Sequence, residues 1–111
     1  MLKIERRQIE VLDFAYLKRE PNAIIDTRNY ELYSSLSIRQ SIIDILELPA
    51  TIFHSEIIIH ACIIKEIKLP YCWFKNGLEF TNNTILQEAT FEAGGHNKKT
   101  FIMKENIFHG F

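Results

Sequence analysis

Large apolar residues recur along the second half of the chain at steps that alternate between six and five positions. The stops are Ile52, Ile58, Ile63, Leu69, Phe74, Phe80, Ile85, Phe91, Ile102 and Ile107, with His96 as the one polar stop. A helix face repeats near every 3.6 residues and a strand face every two, so this spacing belongs to neither element alone. Two units give about 22 residues, too short for a helical pair and suited to one turn of a stacked β coil. The register predicts that Ile58, Phe80 and Ile102 stack in one inward column and Ile63, Ile85 and Ile107 in another. Small residues stand two places before several stops, at Ala50, Ala61, Cys72 and Ala89. A small side chain beside a large one lets the walls of a narrow coil interdigitate.

The first half reads differently. In residues 5–19, Ile9, Leu12 and Tyr16 fall at helical spacing among charged neighbours, and Glu20-Pro21-Asn22 stops the pattern. This predicts a short amphipathic helix that caps the first coil, where a β stack would otherwise expose strand edges and apolar ends. Extended backward, the 6/5 register reaches Leu36, Tyr30 and Ile25 but meets Glu47 and Ser41, which places an inserted or lost residue near Leu48-Pro49. Residues 92–100, rich in Gly and polar side chains, are expected to form a protruding loop. The expected organisation is one domain over residues 1–111, with a helical cap over 1–23 and coils over 24–111, clearest from residue 50.

Three triplets, Ala61-Cys62-Ile63, Cys72-Trp73-Phe74 and Ala89-Thr90-Phe91, carry a resemblance to the pentapeptide-repeat family. The resemblance covers the chain from Ala50 onward. It implies a mainly β fold, a single-stranded, right-handed, quadrilateral parallel β-helix. Members of that family keep five residues per face, whereas the alternation here implies bulged corners or coils of about 22 residues. The family's typical Ala-Asp-Leu and Ala-Asn-Leu triplets are absent. A small α+β domain with fortuitously regular strands is the other architecture the pattern allows.

Charge narrows the function classes. Thirteen Lys and Arg against 14 Asp and Glu leave a net charge of −1, which favours neither nucleic acid nor an anionic membrane. The DNA mimicry found in some pentapeptide-repeat proteins needs a strongly negative surface, and this chain lacks one. No apolar run approaches the length of a membrane-spanning helix and the opening MLKIERRQIE lacks a signal-peptide core, so a cytoplasmic location is the expectation. Ile appears 18 times and Val only at Val11, a bias toward large branched side chains that stack well.

Candidate chemistry is sparse. The Gly94-Gly95 and Lys98-Lys99-Thr100 elements do not meet the spacing of a phosphate loop. Cys72 is expected inside the coil and Cys62 outside, with His54 and His60 also outward. That arrangement predicts two free thiols, no metal and no cofactor. Asp occurs only at positions 13, 26 and 44, outside the clear repeat, so the clustered carboxylates of polysaccharide-cleaving β-helices are not expected. The expected role is a non-catalytic structural or protein–protein interaction module, with a carbohydrate-binding or host-surface module as the alternative. Trp73, between two inward residues, should face out with Tyr71 beside it on a corner, where aromatic rings can meet a partner. Ile102, Ile107 and Phe108 should form a bare apolar coil end that a second copy covers in a twofold dimer.

Overall fold

A computed structural model describes residues 1–91, 93–96 and 101–109, with backbone alone for 93–96 and 101. The chain forms a β-solenoid of about three turns with one short helix, and its strands, numbered along the chain, build three five-stranded sheets. The first holds β1 (Leu2–Glu5), β5 (Leu36–Arg39), β8 (Ile57–His60), β11 (Leu78–Thr81) and β14 (Phe101–Lys104). The second holds β2 (Gln8–Leu12), β6 (Ile42–Glu47), β9 (Ile63–Lys68), β12 (Thr84–Thr90) and β15 (Ile107–Phe108). The third holds β3 (Ile25–Asp26), β4 (Glu31–Leu32), β7 (Ile52–Phe53), β10 (Cys72–Phe74) and β13 (Ala93–His96). All neighbours pair in parallel except β3 with β4.

Leu36 pairs with Ile57 and Ile57 with Leu78, and His60 meets Thr81 at the same sequence separation of 21, which is the length of the coil. Buried side chains come in four pairs per coil, Leu36 and Ile38, Ser41 and Ile43, Leu46 and Leu48, Thr51 and Phe53, before the series restarts at Ile57. Three steps of five and one of six make the turn. The expected four-sided coil therefore appears as three sheets, the second bent so that it supplies two of the four inward pairs. The bend falls at Asp44 and Lys65, where alternation breaks and the ladder skips a position.

The coil is thus one residue shorter than the 6/5 register implies, and this explains which columns differ from expectation. The stops from Leu69 to Ile85 are inward, but Ile52, Ile58 and Ile63 each sit one residue away from the buried Phe53, Ile59 and Ile64. A one-residue slip moves a strand residue to the opposite face. Ile58 and Ile102 share an outward column with Glu79, whereas Phe80 stacks between Ile59 and Met103. Ile63 and Ile107 flank Thr84 outside, and Ile85 lies between Ile64 and Phe108. The coil itself rests on the parallel ladders, which do not depend on the predicted phase.

The N-terminal segment also differs from expectation. Residues 5–19 are not one helix: β1 and β2 already form the first coil, and only α1 (Phe14–Lys18) is helical. Ile9 and Leu12 pair beside Ile43 and Leu46, so their spacing of three comes from the bend in the second sheet and imitates a helix face. Asp13 caps α1 by accepting the Tyr16 N–H at 2.9 Å, and Phe14 and Leu17 are buried. Arg7 clamps the cap to the coil corner through Glu20 and the Tyr16 hydroxyl. The helix and its flanking chain make this turn the longest, so that Leu2 finds its partner only at Leu36.

At the other end, part of the expected 92–100 loop is strand, because Ala93–His96 pairs with β10 across a register shift between Cys72 and Trp73. The shift accommodates a last coil slightly longer than those before it, since Leu78 pairs with Phe101. Residues 92, 97–100, 110 and 111 lie outside the described residues.

Candidate interaction surfaces

Corners explain why small polar residues occupy one inward position. Gln40, Ala61 and Asn82 stand at equivalent corners with φ of 49°, 56° and 55°, and Ala50 and Tyr71 hold another with φ of 48° and 56°. Ala50 and Ala61 are thus left-handed corners, not inward residues. A corner turns the following carbonyls and amides inward, where they need partners. Ser41 Oγ donates to the Arg39 carbonyl at 2.9 Å and Thr51 Oγ1 to the Pro49 carbonyl at 3.1 Å. Asn83 and Asn106 reach further, each bonding backbone of the preceding coil.

Cys62 and Cys72 occupy the same kind of position. Both are buried and free, which corrects the outward placement of Cys62 and agrees with the expectation of no disulfide. The Cys72 thiol donates to the Leu48 carbonyl at 3.0 Å, and burial pushes its pKa up to about 11. Burial raises the Cys62 thiol as well. Since only the thiolate reacts readily, neither residue is suited to nucleophilic or ligand chemistry in the folded state. The native protein should resist alkylation at pH 8 and release two reactive thiols on denaturation. Rapid labelling of the native form would refute the placement. The contribution of Cys72 to stability is intact below the ordinary thiol value of 9.0 and falls as pH rises through about 11.

The outer face of the third sheet gathers most of the chain's aromatic polar residues. Its outward columns are Glu31, Ile52 and Trp73, and beside them Tyr33, His54 and Lys75. Trp73 is 40% exposed and Tyr71, on its corner, 67%, as the sequence led one to expect. Tyr33 is exposed too, as is Tyr30 at the rim, where its ring meets Phe14 edge-on at 5.5 Å. Four of the chain's five Tyr and Trp side chains therefore belong to this wall. Sequence reasoning picked Trp73 and Tyr71 but not Tyr30 and Tyr33, because their coil carries the α1 insertion and is out of phase with the later repeat.

Polar bonds fix this wall. Glu31 accepts hydrogen bonds from His54 Nε2 at 2.9 Å and the Tyr33 hydroxyl at 3.1 Å. The His54 bond is the main cause that holds the Glu31 carboxyl below its ordinary range, and the same carboxyl raises the Tyr33 phenol. The Tyr33 and His54 rings stack with centroids 4.4 Å apart. Lys75 Nζ lies 5.9 Å from the Trp73 ring centre, a cation–π contact. Beneath, Phe53 and Phe74 stack at 4.7 Å and give the wall a firm backing. A surface depression of about 420 Å³ adjoins this wall, lined by Ser35, Ser55, Glu56 and Asn76.

The residues expected at a bare coil end separate. Ile102 lies on the first sheet's outward face and Ile107 on the second's, while Phe108 continues an inward column and stacks on Phe80 at 6.4 Å. Among the described residues no three His, Cys, Asp or Glu side chains converge as a metal site, and no helix is long and apolar enough to cross a membrane. No protein-family model, no curated protein and no solved structure matches this chain.

Proposed function

We propose that the protein is a non-catalytic interaction module whose docking face is the aromatic wall of the third sheet. The carrying observation is the concentration of Tyr30, Tyr33, Tyr71 and Trp73 on that single wall. Tyr and Trp are the residues that most often anchor protein interfaces, since they bury large area at low entropic cost. The Glu31–His54–Tyr33 network supports this reading by holding the rings in place before a partner arrives. Inert thiols support a non-catalytic role. The fitting partner is a polypeptide segment with apolar or aromatic anchors and a basic residue able to approach Glu31. Four inward pairs per coil at five-residue steps also support a distant kinship with pentapeptide-repeat proteins.

A carbohydrate ligand is the second reading, favoured by the exposed Trp73 face with Lys75 and Glu31 beside it. One experiment separates the two. Peptides selected from a displayed library on the native protein, and a glycan array probed in parallel, are each tested against Trp73→Ala and Tyr33→Ala. The single Trp makes intrinsic fluorescence a reporter of this wall. Peptide binding that shifts the Trp73 emission and weakens at least about tenfold in Trp73→Ala is the expected result, equivalent to a hot-spot residue. Glycan binding with the same dependence would transfer the site to the second reading. Ligands indifferent to both substitutions would refute the wall as a docking face.

A further inference from the structure

The second sheet carries a feature that the aromatic wall does not explain. Its first outward column runs Gln8, Ile42, Ile63, Thr84 and Ile107 across five strands. The three isoleucines are 45%, 43% and 55% exposed. Scattered apolar residues on a surface are ordinary, but aligned β-branched side chains on adjacent coils form a continuous ridge at about 4.8 Å per step. Beside the ridge, on the bend, stand Asp44 in β6 and Lys65 in β9, at matching register on neighbouring strands. Among the described residues neither has an ion-pair partner.

We infer that this ridge is a self-association surface, with a second copy of the chain as its occupant. A twofold axis parallel to the strands and midway between β6 and β9 exchanges the two strands. It lays Ile42 over Ile63 of the other copy, sets Asp44 against Lys65 twice, and opposes Gln8 and Thr84. An isologous interface requires such self-complementarity, and the acid on one coil with the base on the next supplies it. An axis running along the stack would instead set Ile42 against Glu47, so charge selects the first arrangement. The wall measures about five strands by four to six residues, roughly 24 by 20 Å. That gives an interface of about 1,000 Å² in total, at the small end of specific contacts, and hence a reversible dimer in the micromolar range, on the order of 10 to 100 µM. The proposal does not rest on the aromatic wall and uses none of its residues.

Sedimentation equilibrium of the full chain over a hundredfold concentration range tests it. The expected result is a monomer–dimer equilibrium that Ile63→Asp abolishes. Lys65→Glu and Asp44→Lys should each weaken it by at least about fivefold, and the two together should restore it to within about twofold. Phe108→Lys should leave it unchanged. These side chains are exposed, and far-UV circular dichroism verifies that each variant keeps its β signal. If Ile63→Asp loses that signal, the charge reversals and their double mutant decide alone. A monomer at millimolar concentration, a dimer indifferent to the charge reversals, or one lost only with Phe108→Lys would overturn the inference. The last outcome would seat the contact on the coil end instead.

Discussion

Phe80→Ala should lower the unfolding free energy by about 3 to 5 kcal/mol, the range for removing a large aromatic from a packed core. Phe80 is fully buried in the column of Ile38, Ile59 and Met103. The Phe91 ring meets it edge-on at 5.3 Å, and Phe108 stacks on it at 6.4 Å. Stacked coils leave little freedom for neighbours to collapse into the gap, because backbone ladders hold the column spacing on both sides. Urea unfolding followed by circular dichroism reads the loss directly. Ile58→Ala is the informative control. It faces outward beside Glu79 and should cost less than about 1 kcal/mol, although a coil longer by one position would place it in the Phe80 column. Equal losses for the two variants would contradict the observed register.

Asn83→Ala should cost nearly as much without creating a large cavity. Asn83 is buried; its Oδ1 accepts the Cys62 N–H at 2.8 Å and its Nδ2 donates to the Ile59 carbonyl at 2.9 Å. Both partners flank the left-handed corner at Ala61 in the preceding coil. Removing the amide leaves two buried backbone groups unpaired, at about 1 to 3 kcal/mol each, so the expected loss is roughly 2 to 5 kcal/mol. Asn83→Ser should fall between, since a serine hydroxyl reaches only its own corner, as Ser41 does with Arg39. Hydrogen exchange localises the effect: the Cys62 amide should lose protection before the β9 amides that follow. An Asn83→Ala protein as stable as the native one would mean that the corners do not depend on this side chain.

The aromatic wall was partly legible in advance. Trp73 lies between two apolar inward residues on one strand, so simple alternation set it outside. Tyr71 followed from its place next to a corner. Tyr33 and His54 meet only because successive coils stack with matched register, and no local pattern encodes that pairing. The same holds for Asp44 and Lys65, which are ordinary charges until the ladder sets them side by side.

By itself, the sequence determined that the chain is a β coil with a short unit, because large apolar residues at steps near five or six cannot line a helix or a single strand. It also determined that the thiols stay apart and that Trp73 faces solvent. Tertiary structure decided the phase. The coil is shorter than the expected one by a single position, yet that position moves Ile58 and Ile63 to the outer face and Cys62 to the inner one. The length of a turn is set by corner geometry, through left-handed residues such as Gln40, Ala61 and Asn82 and the inward hydrogen bonds that satisfy the backbone around them. Ile9 and Leu12 show the same dependence: their spacing of three means a helix in isolation and a bent strand once β6 lies alongside, because the backbone takes its hydrogen bonds from the neighbouring coil.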